Sequence, residues 1–260
     1  VLDYYNRFLM EAPDVAALAV LPEERLMKLW QGLGYYSRAR NLQKAAKVIV
    51  EEHGGRLPSD YAGIRALPGV GDYTAGAIWS IAFGQAVPAV DGNVLRVYAR
   101  VCGDDGDITT PQMKKKVTQD LEKVIPVNAA GAFNQALMEL GATVCLPNGR
   151  PCCEECPCKE FCIAHFEQRE TDYPYKTPKK PRTIEEKTVL IIRDENRAAL
   201  RQRPKKGLLA GLYEFPCLEG HLSEKQVVDY LKEEEGLSVL KIEALEKSRH
   251  IFTHREWHMI

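Results

Sequence analysis

Apolar residues recur at spacings of three and four along the first two thirds of the chain. The pattern is clearest in Ala39–Val50, Thr74–Phe83 and Ala129–Leu140, and it predicts amphipathic helices. Breakers such as Gly54-Gly55 and Pro111 separate these segments. We therefore expect residues 1–166 to form a mainly helical domain.

The pattern changes after residue 166. Residues 167–186 are proline-rich and basic, which is typical of an extended linker. From Lys187 onward, strands are predicted over Thr188–Ile192 and Ala198–Arg203, and a helix over Gln226–Glu235 that Gly236 ends. Residues 187–260 are thus expected to form a second domain, of α+β type.

Composition agrees with a globular protein of two domains. The chain has 260 residues, of which 45% are hydrophobic and 27% are charged. No run of about 18 apolar residues occurs, so no membrane span is predicted. The net charge of −1 neither favours nor excludes nucleic acid, because binding depends on where the charge lies.

Cysteine spacing indicates a metal site. Five of the eight cysteines fall between Cys152 and Cys162, and no secretion signal precedes them, so metal is favoured over disulfides. Four thiolates hold either tetrahedral zinc or an iron–sulfur cube, and this compact spacing favours a [4Fe-4S] cluster. The preferred ligands leave two cysteines spare, although Cys152 in place of Cys153 remains an alternative. The preferred set is Cys145, Cys153, Cys156 and Cys162, and the spare residues are Cys152 and Cys158.

Two further segments combine glycine with unusual chemistry. The sequence Leu67-Pro-Gly-Val-Gly71 lies between helical stretches, and its backbone amides are expected to point outward at a helix start, where they bind phosphate. Taken alone, such a Gly-x-Gly is a weak signal, and an ordinary helix–helix turn is its usual explanation. Asp91 lies among apolar residues in Val87–Val94, which requires a partner or a purpose, and a helix cap is the simplest one.

Together these motifs carry a family resemblance. The hairpin at 67–71, Val-Asp-Gly-Asn-Val at 90–94 and the cysteine knot after Cys145 resemble the helix–hairpin–helix DNA glycosylases that hold a four-iron cluster. The resemblance covers residues 1–166. Tyr73 occupies the position of the Schiff-base lysine of the endonuclease III branch. Gly32–Asn41 and the Asp-Gly-Asn triplet are instead similar to the MutY branch, the adenine glycosylases.

The resemblance implies monofunctional removal of adenine from duplex DNA in which it is mispaired with 8-oxoguanine or guanine. Asp91 would stabilise the sugar cation, Asn93 would orient Asp91, and Tyr73 would support the same charge. Tyr35 would wedge into the base stack. The expected DNA contacts are Leu67, Gly69, Val70, Gly71, Tyr35 and Arg38. We further expect a monomer with no membrane partner and a cytoplasmic location, which is nucleoid-associated if the protein is bacterial.

The same resemblance identifies a missing group. In the family a glutamate on a helix upstream of the segment matching Val1–Pro13 protonates the leaving adenine. We therefore expect this chain to be clipped at both ends and to be inactive or weak as a glycosylase. Glu11 matches no acid motif of the family.

The second domain resembles the Nudix-like carboxy-terminal domain of the same branch. A working Nudix box holds a divalent metal with glutamates, but Asp229-Tyr230 stands where Arg-Glu belongs, so hydrolysis of nucleotide diphosphates is not expected. Phe252, Thr253 and His254 match the family's Phe-Ser-His turn, with threonine in place of serine. They are therefore expected to recognise the 8-oxoguanine.

Three alternatives remain. One is an endonuclease-III-like glycosylase and lyase acting on oxidised pyrimidines, which needs the lysine that Tyr73 replaces. Another is a non-catalytic iron–sulfur module that only binds DNA. The third is a zinc protein, which a visible absorption spectrum distinguishes from an iron–sulfur protein.

Overall fold

Residues 2–178 and 180–260 are described here from a computed structural model, and Val1 and Lys179 lie outside the described residues. The chain divides into two units, Val1–Thr177 and Pro178–Ile260. Each unit has its own core, and we describe each by itself.

Ten helices form the described part of the first unit. The three predicted segments correspond to α4, α6 and α9, so these helix predictions are confirmed, although α9 begins one residue later than expected. The helices are α1 (Leu2–Glu11), α2 (Val15–Val20), α3 (Glu23–Leu29), α4 (Ser37–His53), α5 (Tyr61–Ala66), α6 (Asp72–Phe83), α7 (Gly92–Cys102), α8 (Pro111–Val124), α9 (Ala130–Thr143) and α10 (Ile163–Phe166). Short 3₁₀ turns lie at Val127–Ala129, Cys153–Glu155 and Lys159–Phe161.

Local signals set where these helices begin and end. Side-chain oxygens of Asp14, Asp60 and Thr110 accept hydrogen bonds from the first-turn amides of α2, α5 and α8. At the other end, Gly84 after α6 and Gly103 after α7 adopt left-handed backbone conformations.

Among the described residues, two hydrophobic clusters pack the helices of this unit against one another. The larger one joins α7 to α8 and is completed by half-buried residues of α9, and the smaller one joins α4 to the segment after α5. The larger cluster contains Val90, Val94, Leu95, Ala99, Ile108, Met113, Val117 and Leu121, and the smaller contains Ala45, Ile49 and Leu67. Gly76 of α6 lies so close to the segment before α7 that a Cβ there would clash with the Pro88 carbonyl oxygen.

The end of the first unit is attached to it by hydrogen bonds. Tyr173 is buried, the Ile108 amide donates to the Tyr175 carbonyl (3.2 Å), and Thr177 donates to Asp107. The residues just before Pro178 therefore lie against the helical unit, inside the stretch expected to be a linker.

The second unit is α+β, and its main sheet has four strands in the order β6-β1-β8-β7. Strands β1 and β8 are parallel, whereas β1–β6 and β7–β8 are antiparallel. The elements are β1 (Thr183–Val189), β2 (Arg193–Asp194), β3 (Arg197–Ala198), β4 (Arg201–Gln202), β5 (Tyr213–Glu214), β6 (Cys217–Glu219), α11 (Glu224–Glu233), β7 (Ser248–Ile251) and β8 (Arg255–Met259). Val227 and Leu231 of α11 pack on Leu190.

Two strand predictions were wrong in their extent. The strand expected over Thr188–Ile192 runs instead over Thr183–Val189, because Lys187 and Thr188 are buried with polar partners and hide the alternation. The strand expected over Ala198–Arg203 is divided between β3 and β4, which pair in two separate small sheets.

Among the described residues, no helix has both the length and the apolar character needed to cross a membrane.

Candidate functional site

The hairpin Leu67–Gly71 joins α5 to α6. Gly69 has φ +79°, and a Cβ there would lie 2.6 Å from the Asn41 Cβ, so both conformation and space require glycine. The Val70 side chain packs with Leu67 on the α4 cluster, and its amide donates to the Leu67 carbonyl (3.0 Å). The expectation that all hairpin amides point outward is thus wrong for Val70, whose amide closes the turn.

Arg65 stabilises this hairpin through two hydrogen bonds, and the sequence analysis did not identify this residue. Its Nε donates to Asp72 Oδ1 (2.6 Å) and its Nη1 to the Val70 carbonyl (2.9 Å). The hydrogen bond from Arg65 holds the pKa of Asp72 below its usual value. Arg65 therefore fixes the path of the chain into the first turn of α6.

Asp91 is the N-cap of α7 and lies half-buried. Its Oδ1 accepts hydrogen bonds from the amides of Asn93 and Val94, each at 2.8 Å. Its Oδ2 accepts from Nδ2 of Asn93 at 3.1 Å. The cap explanation is therefore correct, and one carboxylate oxygen is also oriented by a side chain.

Tyr73, in the first turn of α6, is half-buried beside this carboxylate. Its hydroxyl donates to Met138 Sδ at 3.2 Å. Burial, and then the negative charge of Asp91, raise the pKa of Tyr73 above its usual value. The side chain is therefore a neutral phenol at physiological pH.

A buried arginine connects the Asp91 region to the cysteine segment. Arg96 is 4% exposed, and its Nη2 donates to Asn93 Oδ1 (2.9 Å) and to the Gly141 carbonyl (2.5 Å). Its Nε donates to the Cys145 carbonyl (2.8 Å). A cation inside the otherwise apolar stretch of α7 was the sequence signal for this residue, and we missed it.

Five cysteines line one small cavity, which is partly open to solvent. All four preferred ligands are among them, together with Cys152; Cys158 is not in the lining. Arg100, also buried, donates to Cys145 Sγ (3.2 Å) and to the Tyr173 carbonyl (3.0 Å). The lining cysteines are Cys145, Cys152, Cys153, Cys156 and Cys162.

Burial raises the pKa of two of these thiols, Cys153 and Cys162, so they are hard to ionise by themselves. Burial, and then the nearby charges of Glu170 and Cys156, raise the pKa of Cys153 to about 11. His165 Nδ1 lies 2.7 Å from Glu170 Oε1, and the ligand atoms of Cys153, His165 and Glu170 all lie within 4.8 Å of one another. The sequence analysis missed His165 and Glu170, which follow the last of these cysteines, Cys162, in the sequence.

Tyr35 is exposed and Tyr36 half-buried in the glycine-rich segment before α4. Tyr35 is 71% exposed and adopts φ +47°. The Arg38 guanidinium carbon lies 5.6 Å from the centroids of both the Tyr35 and Trp30 rings. The two side chains singled out from sequence therefore share one surface.

In the second unit, the turn Phe252–His254 joins β7 to β8. Its backbone is fixed from the β1 side, because the Phe252 carbonyl accepts from Arg182 Nε (3.1 Å) and the His254 carbonyl accepts from the Thr183 amide (3.1 Å). Phe252 is half-buried, whereas Thr253 and His254 are exposed.

Family models match both units. Residues 1–126 match the model described as HhH-GPD superfamily base excision DNA repair protein, and residues 188–260 match the NUDIX domain model. Solved structures similar to this chain include a thermostable thymine-DNA glycosylase (TM-score 0.56, 28% identity). They also include a trapped endonuclease III–DNA covalent intermediate (TM-score 0.54, 27% identity). Each of these covers 64% of this chain and is itself covered to 76%.

Curated relatives share one description. The adenine DNA glycosylase of Mus musculus is 34% identical over 98% of this chain and 59% of its own length. The human enzyme is 36% identical over 86% of this chain, which spans half of it. The adenine DNA glycosylase of Buchnera aphidicola (subspecies Acyrthosiphon pisum) is 32% identical over 97% of this chain and 71% of its own length. The resemblance is thereby confirmed, and the chain belongs to the adenine DNA glycosylase family within the HhH-GPD superfamily of base excision DNA repair proteins.

Proposed function

We propose that this chain carries the sugar-facing part of an adenine DNA glycosylase, which removes adenine mispaired with 8-oxoguanine or guanine from duplex DNA. The observation that carries the proposal is the Asp91 carboxylate, with one oxygen held by backbone amides and the other by Asn93. A half-buried carboxylate of fixed orientation is suited to stabilising a positive charge that develops beside it.

The reaction breaks the bond between N9 of adenine and C1′ of the sugar. The electron pair of that bond leaves with adenine, which takes up a proton, and C1′ develops positive charge. Asp91 stabilises that charge, and water then adds its oxygen to C1′ and gives up a proton. Tyr73 lies beside the carboxylate as a neutral phenol, which supports the site without adding a competing positive charge.

Proton delivery to adenine needs an acid whose pKa is raised toward neutrality. Glu11 is not that acid. Its carboxylate pairs with Arg25, and this hydrogen bond lowers the pKa of Glu11 below its usual value. Glu11 is thus ionised at neutral pH and has no proton to give.

For DNA we propose contacts on the hairpin and on the surface shared by Tyr35 and Arg38. Gly69 lets the hairpin turn tightly against Asn41, and at Gly71 an added Cβ would meet open space, so a phosphate can approach the start of α6, where backbone amides and the helix dipole favour an anion. An exposed aromatic ring beside a guanidinium offers stacking and charge together. We propose the leading role on this surface for Tyr35.

We also propose a [4Fe-4S] cluster on Cys145, Cys153, Cys156 and Cys162. The residues fit such a group, because the four sulfurs line one cavity and burial raises the pKa of the Cys153 and Cys162 thiols, whose ionisation a bound metal would compensate. A bound cluster supplies iron–thiolate bonds that close the loop between α9 and α10. Iron content and a broad visible absorbance test this, and zinc without visible absorbance would contradict it.

For the second unit we propose that Phe252, Thr253 and His254 recognise the 8-oxoguanine opposite adenine. The exposed Thr253 and His254 side chains, on a turn whose backbone is anchored at both carbonyls, support this role. Replacing His254 by alanine should reduce discrimination between 8-oxoguanine and guanine, and an unchanged ratio would argue against it.

The decisive experiment measures adenine release from a duplex with 8-oxoguanine opposite adenine. It compares this chain with a version extended at its amino-terminal end, each with Asp91 or with Asn in its place. We expect the extended version to release adenine, the unextended chain to do so weakly or not at all, and Asp91→Asn to abolish release. Release that is independent of Asp91 would refute the assignment.

The same duplex tests the lyase alternative. Schiff-base chemistry needs an amine, and Tyr73 carries a phenol, so strand cleavage at an abasic site should be much slower than adenine release. Nicking of abasic DNA as fast as adenine release would favour an endonuclease-III-type enzyme instead.

A further inference from the structure

The ring of Trp257 lies behind the turn that carries Phe252, Thr253 and His254. Trp257 is in β8, directly across from His250 in β7. The Phe252 ring contacts both neighbours edge-to-face, with its centroid 5.0 Å from that of Trp257 and 4.5 Å from that of His250. His250 is on a strand whose four residues are all exposed, so Trp257 is the more firmly held of the two contacts.

Trp257 is in turn held by charged groups of the sheet. Its Nε1 donates to Glu185 Oε2 at 2.8 Å. Glu185 also accepts from Arg255 at 2.7 Å and pairs with the buried Lys187 at 3.4 Å. The tryptophan side chain therefore has a fixed hydrogen-bond partner that is itself fixed by two cations.

Cations also contact the ring itself. Lys187 Nζ lies 5.6 Å and the Arg203 guanidinium carbon 5.4 Å from the centroid of Trp257. Arg203 follows β4 and is itself paired with Glu214 of β5, so cations from β1 and from the segment after β4 both face one ring of β8. An indole with this many partners has little rotational freedom.

We propose that Trp257 is a positioning residue for lesion recognition, which fixes the Phe252 side chain and thereby the angle at which Thr253 and His254 are presented. This inference rests on the proposed role of the turn. The backbone of the turn is already anchored by Arg182 and Thr183, so the rotation of Phe252 is the freedom that Trp257 removes.

The experiment measures, on the full chain, the affinity for duplexes in which adenine or an uncleavable analogue lies opposite 8-oxoguanine or guanine. The readout is the ratio of the two affinities, together with the thermal unfolding of the protein. An edge-to-face contact accounts for about a threefold to tenfold effect. We expect Trp257→Ala to reduce the ratio about tenfold, and Trp257→Phe, which keeps a ring but loses the Glu185 bond, to reduce it about threefold.

Tyr213→Ala is the matched control, since Tyr213 is an exposed aromatic residue of the same unit and should leave the ratio unchanged. If Trp257→Ala unfolds the second unit, the ratio of affinities measured for Trp257→Phe decides the test. A folded Trp257→Phe protein with an unchanged ratio overturns the inference. A parent protein with no preference for 8-oxoguanine would instead refute the proposed function of the turn, so the two failures are distinguishable.

Discussion

The Asp91 carboxylate combines two roles that substitutions can separate. It caps α7 through Oδ1, and we propose that its charge stabilises the sugar cation. In Asp91→Asn the side chain keeps one oxygen for the cap, but its amide NH₂ faces Nδ2 of Asn93, so the hydrogen bond from Asn93 is lost. This substitution should therefore lower the free energy of unfolding by about 1 kcal/mol, the value of one hydrogen bond. Alanine also removes the cap, so Asp91→Ala should lower it by about 2 kcal/mol.

The electrostatic effect should be the same for both substitutions. Two unit charges about 4 Å apart interact with about 1 kcal/mol in water and about 4 kcal/mol at a protein surface. Because Asp91 is half-buried, loss of its charge should weaken binding of a cation at C1′ by about fivefold to a thousandfold. We therefore expect Asp91→Ala to be less stable than Asp91→Asn, whereas both variants lose cation binding to the same extent.

The assay uses two abasic duplexes opposite 8-oxoguanine. One carries a pyrrolidine, whose protonated nitrogen imitates the sugar cation, and the other carries a neutral tetrahydrofuran. The ratio of their dissociation constants, measured by fluorescence anisotropy, isolates the charge, while urea unfolding measures the cap. If Asp91→Asn prefers the pyrrolidine duplex as strongly as the parent, Asp91 is a helix cap and nothing more.

Three further predictions concern the framework around this site. Cys153→Ser should lose most of the iron bound per chain and Cys158→Ser should keep it, because only Cys153 lines the cavity; equal iron contents would contradict the ligand set. Gly76→Ala should lower the free energy of unfolding by about 1–3 kcal/mol in urea titrations, because its Cβ meets a backbone carbonyl oxygen. Hydrogen bonds from the Thr177 hydroxyl, and then from Thr109, lower the pKa of Asp107 to about 2. That folded pKa is below the unfolded pKa of about 4, so the stabilisation by Asp107 is present above pH about 4 and is lost as the pH falls through about 2. Hydrogen exchange of the backbone amides of residues 173–177 should therefore stay slow at pH 4 in the parent chain. In Asp107→Asn it should become fast at the same pH.

The parts of the fold that depend on neighbouring residues were predictable from the sequence. Helix periodicity located α4, α6 and α9, and the aspartate before Gly92 was recognisable as a cap because the cap bonds reach only two and three residues ahead. Local spacing also brought the cysteines between Cys152 and Cys162 together. In each case the physical cause lies within a few positions of the residue.

The parts of the fold that depend on residues distant in the sequence were not predictable in this way. Arg96 contacts Cys145, which is 49 residues away, and Arg100 contacts Tyr173, which is 73 residues away. No local pattern specifies such pairs. The start of strand β1 was missed for the same reason, since Lys187 is tolerated inside the sheet because Glu219 of β6 pairs with it as well as Glu185 of its own strand.

These distant contacts give α7 a central position in the helical unit. Asp91 caps its first turn. Further along the helix, Arg96 donates to the carbonyl of Cys145, and Arg100, four residues later, donates to the sulfur of the same cysteine. A buried guanidinium that loses a partner is costly, so the cysteine loop and α7 must fold together. Because Arg96 also holds Asn93, which orients the Asp91 carboxylate, the order of the cysteine loop bears directly on the geometry of the proposed catalytic group.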